Sequence, residues 1–202
     1  KVVVDKAITL DLNGYTVTSS DRKALEVYAN VTIKNGTVVA KERAVDTRTA
    51  VELVLDSVTL EATSAGNNQP LTIGGYENGT VVTVNNSTIN AGKAGYGIIT
   101  FVEADITVIN SIITGYAALQ FKAGSDNSVA NFEGSVIETT SYAGEVFGAF
   151  VFDNVLGATV TTDAATTITA ESYVVLFSTA DSTNNTANIA GTISATNSVY
   201  GY

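Results

Sequence analysis

Apolar and polar residues alternate along this chain in short runs, and the runs recur. The first figure is Ile8-Thr9-Leu10-Asp11-Leu12, a break at Asn13-Gly14, then Tyr15-Thr16-Val17-Thr18. Successive side chains of a strand point to opposite sides, so each run predicts a strand with one side in a core. The figure returns at 31–40 (VTIKNGTVVA), 53–62 (LVLDSVTLEA), 82–91 (VTVNNSTINA), 106–115 (ITVINSIITG) and 130–139 (ANFEGSVIET), and more loosely at 158–170 and 187–196. The breaks fall at Asn13-Gly14, Asn35-Gly36, Asp56-Ser57, Asn86-Ser87, Asn110-Ser111 and Glu133-Gly134, with a last one at Ala190-Gly191. Neighbouring breaks in the well-kept copies are 21 to 30 residues apart. A period of that size marks a solenoid.

A third apolar run lies between copies: Leu25-Glu26-Val27-Tyr28, Val45-Asp46-Thr47-Arg48, Leu71-Thr72-Ile73, 98–102, Leu119-Gln120-Phe121-Lys122, Phe150-Val151-Phe152-Asp153 and 174–178. Each repeat thus carries three short strands and no helical pattern. Three strands per coil, each paired with its equivalent one turn on at about 4.8 Å, form a parallel β-helix. The expectation is an all-β solenoid of about eight coils, about 35 to 40 Å long, in a single domain over residues 1–202. Asn and Gly accept the left-handed backbone that a sharp corner needs, and stacked Asn side chains are expected to form an amide ladder along the axis. The competing reading is a β-sandwich whose hairpins turn on Asn-Gly; it gives no reason for a three-strand unit to repeat. Longer loops are expected at 63–69, 74–79, 92–97, 123–128, 141–148 and 180–186. Both termini read as strand without a helical cap, so the ends are expected either to continue a longer chain or to dock on neighbouring copies.

Composition narrows the function. The net charge is −10, with 10 Lys and Arg against 20 acids, which argues against a nucleic-acid partner. The charge is uneven: residues 1–49 balance at +2 and residues 50–202 at −12. That asymmetry reads most plainly as a solvated surface, and more sharply as an electrostatic bias toward head-to-tail stacking of rods. No apolar run of eighteen residues exists, so no membrane-inserting helix is expected. The chain holds no Met, which suggests a mature or excised segment whose leader has been removed. An acidic, Thr- and Asn-rich strand protein fits an exported, extracellular life.

His, Cys and Trp are all absent. Histidine-based triads, thiol nucleophiles and His- or Cys-ligated metals are therefore excluded, and no cofactor or metal is expected. Paired carboxylates remain. Glu26 and Asp46 fall on outward positions of adjacent coils and are the one pair that glycoside chemistry could use. Two acids on a solvated face is the plainer reading, and no convergence of acids with Lys or Arg is legible. Glu103 and Asp105 sit together but form no calcium loop. The outward residues Glu26, Tyr28, Asp46, Arg48, Gln120 and Lys122 are the candidates for ligand binding, a tyrosine among mixed charges being able to stack on a sugar ring, although an ordinary solvated face is the plainer reading of the row. Sequons at Asn30, Asn35, Asn78, Asn85, Asn86 and Asn184 are frequent by composition alone.

Residues 10–17 (LDLNGYTV) followed by 31–37 (VTIKNGT) resemble the opening coils of right-handed β-helix regions in bacterial surface proteins, whose fold is related to that of pectate lyases. The resemblance implies right-handed winding, export and cell-surface residence. It implies no lyase activity, because neither a clustered set of calcium-binding acids with a basic residue nor paired Asp with His is present, and no catalytic position carries over. The function expected is a non-enzymatic structural or adhesive rod of a prokaryotic cell surface or appendage, self-associating through its ends or holding a glycan. A polysaccharide-binding or polysaccharide-degrading β-helix is the alternative.

Overall fold

In the computed structural model, which describes residues 1–141 and 147–200, the backbone winds as stacked turns of parallel strand. No helix occurs among the described residues, so none is long and apolar enough to cross a membrane. The recurring figure builds two walls. Its first half lies in Ile8–Asp11, then in the leading parts of Val31–Ala40 and Glu52–Ala62, then in Thr80–Asn85, Ala104–Ile109, Val129–Glu133, Thr159–Thr162 and Thr186–Asn188. Its second half forms the second wall, and the intervening runs form a third: Lys23–Val27, Arg43–Thr47, Leu71–Ile73, Tyr96–Thr100, Ala117–Lys122 and Gly148–Asp153, then the latter parts of Thr167–Phe177 and Thr192–Tyr200. Val2–Val4 adds one further rung, pairing in parallel with Lys23–Val27. About eight turns result, all with parallel registers, and the antiparallel sandwich is excluded.

Register converts the alternating pattern into columns. On the second wall Val17, Val38, Leu60, Ile89, Ile113, Ile137, Ile168 and Ile193 stand one above another. On the third, Phe121, Phe152 and Phe177 stack with ring centroids 5.2 and 5.0 Å apart. Such stacking lets identical shapes interlock along the axis, and burying each Ile, Leu or Phe contributes about 1.5–3 kcal/mol. The outer positions of the first two walls carry threonines, as in Thr16, Thr37, Thr59 and Thr88. Stiff β-branched side chains suit such a half-buried pleat.

The corner between the first two walls turns through the left-handed region at Asn13, Asn35, Ser57, Asn86, Asn110 and Gly134, with φ between 47° and 57°. Gly36 follows one of these, and a Cβ there would overlap the Leu12 side chain and the Tyr15 carbonyl of the coil below. The expected amide ladder is a hydroxyl ladder instead. Ser87 Oγ accepts from the Val58 amide (3.0 Å), Ser111 Oγ from Ser87 N (3.0 Å) and Ser135 Oγ from Ser111 N (3.2 Å). Each of these serines also donates to a carbonyl two residues back in its own chain. All three are buried, so the ladder satisfies corner amides that would otherwise be orphaned. Serine fits where asparagine would not, because the corner closes to the inside of the stack. The asparagines lie outward, where Asn35 and Asn85 donate to Asp11 and Asp56 (3.1 and 3.2 Å). Of the expected loop at 141–148, residues 142–146 lie outside the described residues, as does the expected strand end at 201–202.

Candidate functional site

The outward side of the third wall is one aligned column, in which Val3, Glu26, Asp46, Thr72, Ile99, Gln120, Val151 and Leu176 pair successively. Pointing outward predicts solvent; from Glu26 onward the column is 6% exposed or less. The expectation of a solvated face carrying Glu26, Asp46 and Gln120 is therefore wrong. Neighbouring columns and loops fold over it, and they do so with different chemistry at the two ends.

At the amino-terminal end the cover is cationic. Glu26 receives Lys1 Nζ at 2.6 Å and Lys23 Nζ at 2.7 Å on its two oxygens. Asp46 Oδ2 meets Lys23 Nζ at 2.5 Å, and Arg43 Nη1 and Arg48 Nη1 at 3.6 Å each. These contacts neutralise Asp46 by proximity, yet neither of its oxygens has a partner aligned for a hydrogen bond, and Asp46 is fully buried. Hydrogen bonds from Lys1, then Lys23, pull the Glu26 carboxyl down to about 2, overcoming the cost of burial. Two acids and several cations thus converge where the sequence showed no convergence. The signal was present as spacing: Lys23 precedes Glu26 by three residues and Arg43 precedes Asp46 by three, while register makes Glu26 and Asp46 neighbours. Lys1, Lys23 and Arg43 belong to the cluster and were not among the sequence candidates.

Tyr28 and Arg48 flank this cluster one column over, where Tyr28 is exposed and its phenol stands beside the Arg48 guanidinium. Above them a cavity of about 240 Å³ opens, lined by Arg43, Arg48, Thr72, Gly74, Gly75, Tyr76 and Phe101. Its rim is drawn tight at Gly75, which has φ +111° and where a Cβ would overlap the Arg48 carbonyl. Gln120 and Lys122 lie further along the wall. Both bind Asp153, Gln120 Nε2 at 3.0 Å and Lys122 Nζ at 2.5 Å, so they form a second polar cluster with an acid the sequence reading passed over. The six candidate residues share a wall but not a site.

At the carboxy-terminal end the cover is aromatic. Tyr96, Tyr116 and Phe147 cluster, with Phe147 stacked on Tyr116 at 4.2 Å and tilted against Tyr96 at 5.4 Å. Beneath them Ala117, Val151 and Leu176 form a small apolar layer separate from the main core. Among the described residues no group of three or more Asp or Glu gathers as metal ligands would. Glu103 precedes the strand Ala104–Ile109 and Asp105 lies within it, and neither belongs to such a group. No protein-family model, curated protein or solved structure matches the chain.

Proposed function

We propose that this protein is a non-enzymatic extracellular structural rod whose coils stack end to end into a filament of a prokaryotic cell surface or appendage. The observation that carries the reading is the regular parallel stack of about eight turns, with its charge divided as +2 over residues 1–49 and −12 over residues 50–202. In the first rungs Val2, Val3 and Ile8 are exposed. At the other end the last coil surrounds an apolar hollow of about 500 Å³, walled by Val174, Val175, Phe177, Ala187, Ile189 and Ile193. Apolar side chains presented along a parallel stack suit the addition of another coil. The two ends differ in charge as well as shape, so the contact between them is head-to-tail, and head-to-tail contacts that do not close on themselves propagate as filaments. Winding is taken as right-handed, the hand that parallel crossover connections adopt almost without exception.

Light scattering across a concentration series, with negative-stain micrographs, tests the reading. The expected result is concentration-dependent growth into rods of uniform width, abolished by Ile193→Lys in the hollow. A monomer at every concentration contradicts it.

A further inference from the structure

We propose that the cavity bounded by Arg43, Arg48, Tyr76 and Phe101 binds a phosphate monoester carried on a flat apolar ring. The proposal is independent of whether the rods stack.

Charge is the first reason. The amino-terminal cluster sets Lys1, Lys23, Arg43 and Arg48 against Glu26 and Asp46, an excess of two positive charges in a chain of net charge −10. Glu42 is engaged by Arg22 at 2.7 Å, and Glu77 turns to the Ala50 amide at 3.2 Å; neither lines the cavity. A phosphate monoester carries about −1.5 to −2 at neutral pH and matches the excess.

Unused donors are the second reason. A guanidinium has five N–H groups in a rigid fork. Arg43 meets Asp46 through one nitrogen at 3.6 Å and its Nε is buried without a partner, while Arg48 meets Asp46 through one nitrogen at 3.6 Å and bonds the Tyr28 phenol, leaving further N–H groups on each fork. Asp46 lies wholly covered beside the two arginines, and both arginines line the cavity. Paired forks on one oxoanion are the strong arrangement for phosphate. The buried Asp46 charge opposes an anion, and the two guanidinium groups 3.6 Å from it offset that charge.

Shape supplies the ring. Tyr76 is 96% exposed at the cavity mouth, held out by the Gly74–Gly75 turn, and Phe101 forms the wall beyond. An aromatic side chain left almost wholly in water next to a cationic cavity is placed to stack on a ligand rather than on the protein. A volume of about 240 Å³ suits a phosphate and one six-membered ring.

Calorimetric titration of the intact chain with phenyl phosphate at low ionic strength tests the assignment. Saturable one-to-one binding is expected. Arg43→Gln and Arg48→Gln should each weaken it at least about tenfold, the loss of a charge-assisted hydrogen bond. Tyr76→Ala should weaken it about three- to tenfold. Because Tyr76 supports nothing in the fold, that variant keeps the test clean should an arginine variant unfold. Arg22→Gln, outside the cavity, should bind as the parent does, and phenyl sulfate, a monoanion, should bind about tenfold less tightly. Absence of saturable binding, or binding unchanged in Tyr76→Ala and in the folded arginine variants, overturns the site. Equal affinity for the sulfate overturns the assignment of a dianion.

Discussion

The two ends of the third wall have the same backbone and solve the same problem in opposite ways. Both must cover a column of outward side chains. Near the amino terminus that column is Glu26 and Asp46, and the cover is Lys1, Lys23, Arg43 and Arg48. Near the carboxy terminus it is Val151 and Leu176 under Tyr96 and Phe147. The difference teaches that a solenoid wall fixes where side chains point and leaves their environment to adjacent columns and loops. It also predicts that the two halves fail under different conditions, since stability along a solenoid is close to a sum over neighbouring coils. Amide hydrogen exchange, which reads each coil separately, is the natural probe.

The largest effect is expected from Leu176→Ala, which removes a buried side chain from the aromatic half. It should cost about 2–5 kcal/mol, read as lost protection in the last three coils, with no dependence on salt. Asp46→Asn should cost about 2–4 kcal/mol in the first three coils, because it leaves Arg43 and Arg48 without their carboxylate and Lys23 with Glu26 alone; the arginine heads reach solvent, which keeps the cost below that of a fully buried pair. If Asp46→Asn proves neutral, the charged cover is ornamental and the contrast between the halves collapses. Acid comes next. The folded-state value of Glu26, about 2, lies below its ordinary 4.5, so its contribution is present above pH 4.5 and disappears as pH falls toward 2. A loss on the order of 2–3 kcal/mol is expected in the amino-terminal coils, and Glu26→Gln should flatten the profile. Asp163, through the Thr166 hydroxyl, and Glu171, through the Ser141 amide, are also held low; both carboxylates are solvent-screened, so acid sensitivity at that end should be weaker. The smallest effect is that of salt: raising ionic strength to about 1 M should soften the first coils by about 1 kcal/mol and leave the aromatic half unchanged.

Much of this was legible in the sequence. In Val31–Ala40 the alternation and the Asn35-Gly36 break together specify two walls and the corner between them, and the structure has both. Period two says which way Glu26 and Asp46 point. It cannot say whether that side is wet, because their cover comes from Lys1 on the preceding rung and from flanking positions such as Arg43. A stronger reading was open at the other end, where the unbroken apolar run Val174-Val175-Leu176-Phe177 has the composition of a strand covered on both sides. The hydroxyl ladder was hidden for another reason. Ser87, Ser111 and Ser135 sit beside conspicuous Asn and Gly residues, and only the inward closure of the corner makes the small hydroxyl the residue that fits.

The chain has no cysteine, so single thiols can report directly on the central claim that the third wall's outward column is sealed from Glu26 onward. Thr72→Cys, Ile99→Cys and Val151→Cys should react with a water-soluble thiol reagent only as fast as their coils open. Val81→Cys, on the exposed outer side of the first wall, should react at the rate of a free thiol. Equal, fast labelling at all four positions would contradict the account.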